Sequence, residues 1–166
     1  IQNIFVNAED AKNCLNLKGK NNRNALQIAC FNTDSDIFPW MCNLFENTFE
    51  DKRELIITKD SESQNLIQMV FSLKPIQNIQ FFWEKVLKKY FNDKDLAEHL
   101  KEKGFEGRNL LAMVVYKWKT YIERIEIVWK YFETISAISE MIYNCDKNEN
   151  SLLYWLCKFC NREIVE

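Results

Sequence analysis

Four segments of this chain align without a gap: RNALQIAC at 23–30, QNLIQMVF at 64–71, RNLLAMVV at 108–115 and NSLLYWLC at 150–157. Each carries a short polar residue, Asn24, Asn65, Asn109 or Ser151, and these are 41, 44 and 42 residues apart. The side-chain oxygens of Asn and Ser accept from the unpaired amides of a helix's first turn, so these positions predict helix starts. Apolar residues follow at the first, second, fourth and fifth places, as in Leu110, Leu111, Met113 and Val114. A helix so patterned is buried on most of its circumference. It must stack against copies of itself, because one such unit cannot cover its own apolar surface.

Two further features keep the same register. A second apolar segment follows each first one, marked by Trp40, by Phe82 and Trp83, and by Val128 and Trp129 with Tyr131 and Phe132. The recurring Trp40, Trp83 and Trp129 are expected in a packed core. Leu15, Ile56, Leu100 and Ile142 each stand nine residues before the cap. The stretches around them, EDAKNCL, EDKRELI, NDKDLAEHL and TISAISEMI, read as one or two helical turns. Only three glycines and two prolines punctuate the chain, too few for a many-stranded sandwich. The expected fold is therefore all-α, a helical-repeat solenoid with three helical elements per repeat. Its units run at about 1–18 (partial), 19–59, 60–103, 104–145 and 146–166 (partial). Leu26, Ile67, Leu111 and Leu153 are expected at equivalent buried sites along it.

Little in the chain points to chemistry. His99 is the only histidine, and a packed structural role is expected for it beside Leu100. No glycine-rich phosphate loop, G-x-S-x-G or H-E-x-x-H occurs. The six cysteines follow helical apolar positions, which predicts free buried thiols, and Cys157-Lys-Phe-Cys160 is a lone CxxC without a second pair. We expect no catalysis, cofactor or metal. A net charge of −2 gives no basis for polyanion binding. No run of 18 apolar residues exists, and IQNIFVNAED lacks the basic and apolar regions of a signal peptide. The missing initiator Met and the helix-like ending NREIVE are expected of a piece of a longer chain.

The stretch DKNENSLLYWLCKFCNREIVE at 146–166 resembles an ankyrin repeat, whose pattern runs D-x-x-G-x-T-P-L-H-x-A-A-x-x-G-H-x-E-I-V-E. Asp146, Leu153 and Glu163-Ile164-Val165-Glu166 match it; Ser151 stands for the threonine and Cys157 for a small alanine. Asp60 falls on the family's aspartate and Gly107 on its turn glycine, while DSDIF and RIEIV resemble outer-helix starts. The T-P-L-H signature reads N-A-L-Q, N-L-I-Q, N-L-L-A and S-L-L-Y, so Pro and His are missing, and with the histidine its loop-to-helix hydrogen bond. A period near 42 with three helices also suits an armadillo or HEAT array.

The resemblance implies a non-catalytic scaffold or adaptor segment, cytoplasmic or nuclear, that binds a protein or peptide on its concave face. Its contacts would come from loop tips and exposed inner-helix ends. Carried over, those positions are Lys20, Asn21, Arg23, Phe31 and Asn32; Ser61, Glu62, Gln64 and Ser72; Phe105, Glu106, Arg108, Tyr116 and Lys117; and Lys147, Asn148, Asn150, Lys158 and Phe159. Trp118, between Lys117 and Lys119, is a further candidate contact. Arg23 and Arg108 share the place before the cap and are expected to reach a partner's carboxylates. The alternative is an architectural array that self-associates or braces another domain.

Overall fold

A computed structural model of the protein describes residues 13, 16–32, 34, 36–48, 53–118, 122–135 and 138–159. Every regular element among them is helical. In chain order these are α1 (Ala25–Cys30), α2 (Ile37–Thr48), α3 (Arg53–Ile57), α4 (Leu66–Leu73), α5 (Ile76–Phe81), α6 (Asp93–Lys101), α7 (Leu110–Trp118), α8 (Ile122–Thr134), α9 (Ile138–Tyr143) and α10 (Leu152–Phe159). Past α5 the chain stays helical through a wider π-helical stretch, Phe82–Leu87, and a last turn, Lys88–Tyr90. None of the described helices is long and apolar enough to cross a membrane.

The predicted caps form. Asn24 Oδ1 accepts from Gln27 N at 2.9 Å, and Gln27 Oε1 accepts from Asn24 N at 2.9 Å. Asn65 and Gln68 repeat this box at 3.0 and 3.2 Å. Asn109 Oδ1 accepts from Ala112 N at 2.9 Å, and Ser151 Oγ more loosely from Tyr154 N at 3.3 Å. Asparagine does a second job, because its amide nitrogen donates while its oxygen accepts. Asn24 Nδ2 donates to the Leu55 carbonyl at 3.1 Å and Asn109 Nδ2 to that of Met141 at 2.6 Å. These two caps thus tie α1 to α3 and α7 to α9, whereas the buried Asn65 Nδ2 finds no hydrogen-bond partner among the described residues. Buried carbonyls such as those of Leu55 and Met141 need donors.

Glutamine replaces the bond expected to vanish with histidine. Gln27 Nε2 donates to the Thr58 carbonyl at 2.8 Å and Gln68 Nε2 to that of Glu102 at 2.8 Å. Gln68 lies so close to Gly104 that a Cβ there would meet its Oε1 at 2.5 Å. A larger residue at 104 would have to displace the Gln68 amide from its bonds to Asn65 and Glu102.

The inner helices α1, α4, α7 and α10 pack in that order, each on the next, with α2 against α1 and α5, and α8 against α7. Leu26, Ile67 and Leu111 are buried at their joints. Leu153 is not: it is 55% exposed, because no described helix lies on the far side of α10. On the outer layer Phe38 meets Phe82 at 5.7 Å, Phe71 meets Phe132 at 5.8 Å, and Trp83 stacks on Tyr131 at 4.6 Å. Trp83 is buried as expected, whereas Trp129 is half-buried and Trp40 is 47% exposed. The three tryptophans follow their caps at 16, 18 and 20 residues, so connections of unequal length rotate them differently toward the core.

Of the short helices, Ile56 and Leu100 are buried and Ile142 is half-buried; Leu15 lies outside the described residues. Cys30 and Cys42 are buried free thiols, their pKa values raised foremost by burial. Cys145 is half-buried and Cys157 exposed, contrary to the expectation of uniform burial. Cys157 shares the outward side of α10 with Leu153. Cys14 and Cys160 lie outside the described residues.

Candidate partner-binding surface

Four tight turns precede the inner helices. Each is closed by an amide that donates to a carbonyl four residues later: Gly19 to Arg23 at 2.8 Å, Asp60 to Gln64 at 2.9 Å, Gly104 to Arg108 at 2.9 Å and Asp146 to Asn150 at 3.0 Å. The fourth residue of each turn is left-handed: Asn22, Ser63, Gly107 and Glu149 have φ of 58°, 63°, 71° and 62°. Two kinds of turn alternate. Those opened by glycine carry a second left-handed residue, Asn21 or Glu106, at φ 62° and 56°. Those opened by aspartate are held by its side chain. Asp60 Oδ1 accepts from the amides of Glu62 and Gln64 at 2.8 and 2.9 Å, and Asp146 Oδ1 from those of Asn148 and Asn150 at 2.8 and 3.0 Å. The first turn is joined to the second, Ser61 N to Asn21 O at 2.9 Å, and the third to the fourth, Lys147 N to Glu106 O at 3.1 Å.

The second carboxylate oxygen of each aspartate lies toward the arginine in the turn before it. Arg23 Nε donates to Asp60 Oδ2 at 2.8 Å, with Glu62 at 3.4 Å from its other end. Arg108 Nε lies 3.8 Å from Asp146 Oδ2, and its Nη2 pairs with Glu106. Their guanidinium groups lie 4.0 Å over Phe31, and 4.1 and 4.6 Å over Tyr116 and Trp155. Arg108 is only 4% exposed. It does not face a partner, as the sequence had implied, but is enclosed by its own chain. Arg23 is largely spent in the same way.

Burial also removes Gln64 and Ser72 from the candidate surface. The amide and carbonyl of Gln64 both serve the Asp60 turn, and Ser72 Oγ donates to the Gln68 carbonyl at 2.6 Å. Lys20, Phe31, Asn32, Ser61, Glu62, Phe105, Tyr116, Lys117, Lys147, Asn148 and Lys158 are exposed, whereas Asn21, Glu106, Asn150 and Phe159 are half-buried. Trp118 ends α7, but its side chain lies outside the described residues.

Two clusters emerge. At the first turn Lys20, Asn21, Arg23, Ile28 and Phe31 line an open hollow of about 200 Å³. At the last two turns Tyr116 meets Trp155 at 5.4 Å and Phe159 at 5.9 Å, while Trp155 stacks on Phe159 at 5.4 Å. Lys158 Nζ rides over Tyr154, Trp155 and Phe159 at 5.2, 5.4 and 5.5 Å. Tyr154 and Trp155 were missed from sequence as site residues. A tryptophan where the other copies have Ile28, Met69 and Met113 was the available signal.

Trp155 Nε1 donates to Asp146 Oδ2 at 3.2 Å. Burial pulls the Asp146 carboxyl up, yet these donors, led by the Asn150 and Asn148 amides, outweigh it and hold it below the usual range. His99 Nδ1 sits 2.6 Å from Glu102 and its ring meets Phe91 edge-on at 5.5 Å. Burial raises the Glu102 carboxyl, but Lys59 at 2.8 Å and His99 together hold it low. His99 therefore packs within its own unit, against Phe91 and Glu102. Among the described residues no cluster of three or more metal-ligating side chains occurs.

No protein-family model matches the chain, and no curated protein matches it.

Proposed function

We propose that this chain is a divergent ankyrin-like helical array that acts as a non-catalytic interaction module. One observation carries this reading: four turns of matched hydrogen bonding, spaced 41, 44 and 42 residues apart, each with a left-handed residue where the resembled family has its turn glycine. A hairpin-like turn before each inner helix favours the ankyrin-like register over an armadillo or HEAT-like one. Stacked units of this kind present an extended surface to macromolecules. Beside the last two turns the exposed aromatics Phe105 and Tyr116 are of the type enriched at protein interfaces, and Lys117 and Lys158 supply charge next to them. The free thiols fit a reducing compartment, the cytoplasm or nucleus.

The test is affinity. A partner captured by cross-linking is titrated against the chain and against a Phe105→Ser, Tyr116→Ala double variant. Affinity is expected to fall about tenfold or more, roughly 1.4 kcal/mol, with circular dichroism unchanged. Unchanged affinity in that variant, with loss on Trp40→Ala, would move the binding face to the outer helices.

A further inference from the structure

The joints between successive turns are not alike. At the first and the third, the arginine that closes one turn lies against the aspartate that opens the next. Arg23 Nε is 2.8 Å from Asp60 and Arg108 Nε is 3.8 Å from Asp146. A backbone bond runs beside each pair, from Ser61 N to Asn21 O and from Lys147 N to Glu106 O. The cap amides of Asn24 and Asn109 reach the carbonyls of Leu55 and Met141. The short helices α3 and α9 that carry these carbonyls pack on the inner helices that follow, α4 and α10.

The middle joint repeats none of these ties. Gln64 closes its first turn and Gly104 opens its second, so the ion pair has no counterpart. Phe105 N and Glu62 O hold the places of the bonded amides and carbonyls, yet they are not bonded to each other. Asn65 Nδ2 is buried with no hydrogen-bond partner among the described residues. The short helix α6 packs less on α7 than α3 does on α4 or α9 on α10. An aspartate at 104 would have to displace the Gln68 amide, so the tie used at the other joints is obstructed here. What holds the middle joint lies away from the turns. There α4 packs on α7, Phe71 meets Phe132 at 5.8 Å, and Trp83 stacks on Tyr131 at 4.6 Å.

We propose that the middle joint is a hinge between two stiffer blocks, α1 to α6 and the third turn to α10, which opens at its turn edge and pivots on the outer aromatic layer. In a stacked array each unit touches only its neighbours, so bending gathers at the joint with the fewest ties. The aromatic patches beside Arg23 and Arg108 then ride on different blocks, and a partner that touched both would select one angle. The hinge rests on the bonds at the joints and not on the partner-binding reading.

Nitroxide pairs on the second residues of adjacent turns test it: Lys20 with Ser61, Ser61 with Phe105, and Phe105 with Lys147, all four positions exposed. Attached through ketone-bearing residues, the labels leave the native thiols untouched. Dipolar broadening in frozen solution gives a distance spread for each pair in the 166-residue chain. The first and third pairs are expected to be narrow and the middle pair wider than either. Arg23→Gln gives the first joint the residue type that the middle joint carries as Gln64. It should widen the first pair toward the middle one, with circular dichroism unchanged. A middle pair as narrow as the other two overturns the hinge. So does a first pair that stays narrow in folded Arg23→Gln, because the turn-edge ties would then not be what stiffens a joint.

Discussion

Leu111→Ala and Leu153→Ala form a matched pair, since both residues stand two places after a cap. Leu111 is 1% exposed on α7, which packs on both α4 and α10. Truncation to Ala removes three carbons, worth about 2.4 kcal/mol at roughly 0.8 kcal/mol per buried methylene. An unfilled cavity between rigid helices raises the cost toward about 5 kcal/mol. Leu153 keeps more than half its surface in water, so its truncation should cost about 1 kcal/mol or less. Urea unfolding followed by helical circular dichroism, on dilute monomer, reads both. With m near 2 kcal/mol per molar, Leu111→Ala should lower the midpoint by about 1 M at unchanged slope. A cost for Leu111→Ala below about 0.5 kcal/mol would refute the register, and equal costs for both variants would refute the exposure of Leu153 on α10.

Acid should report on the Asp146 turn. Its folded carboxyl lies below the ordinary aspartate value of about 3.9, so its stabilisation is complete above that value and lost as pH falls through the lowered folded one. Asp146→Asn should flatten the fall of melting temperature in that acidic window, and parallel curves for variant and wild type would discount the interaction. Gly107→Ala places a Cβ 3.0 Å from the Lys147 amide at φ +71° and should cost more than about 1 kcal/mol, whereas Asn22→Gly, at φ 58°, should cost little or stabilise. Similar losses in the two melts would mean that the close approach to Lys147 has no consequence.

The inner helices were legible because their information is local. A cap, its box partner three residues on and the apolar rhythm all fall within eight residues, and Asn24, Asn65 and Asn109 behave as that local chemistry requires. The outer layer was less legible because its rotation depends on connection length, a non-local quantity. Trp40 and Trp83 carry the same residue type, yet one faces water and the other stacks on Tyr131. Leu153 shows a second limit: a pattern states which side of a helix wants cover, and not whether a neighbour is there to give it.

The arginines show most clearly why a site is harder to read than a fold. Arg23 and Arg108 lie just before their caps, a place that looks solvent-facing when each turn is considered alone. What buries them is 37 or 38 residues further on, where Asp60 or Asp146 opens the next turn. Each aspartate uses one oxygen for its own turn's amides. Asp60 gives the other to Arg23, while that of Asp146 accepts from Trp155 and stays at ion-pair distance from Arg108, whose Nε has no hydrogen-bond partner among the described residues. The arginine can then lie flat over Phe31 or Tyr116. Gln64 and Asn150 occupy the corresponding place in the aspartate-opened turns, where an uncharged side chain makes no such demand. The arginines lie against the aromatic side chains, and on the function proposed above a partner would touch the exposed Phe31 and Tyr116, with Lys117 and Lys158.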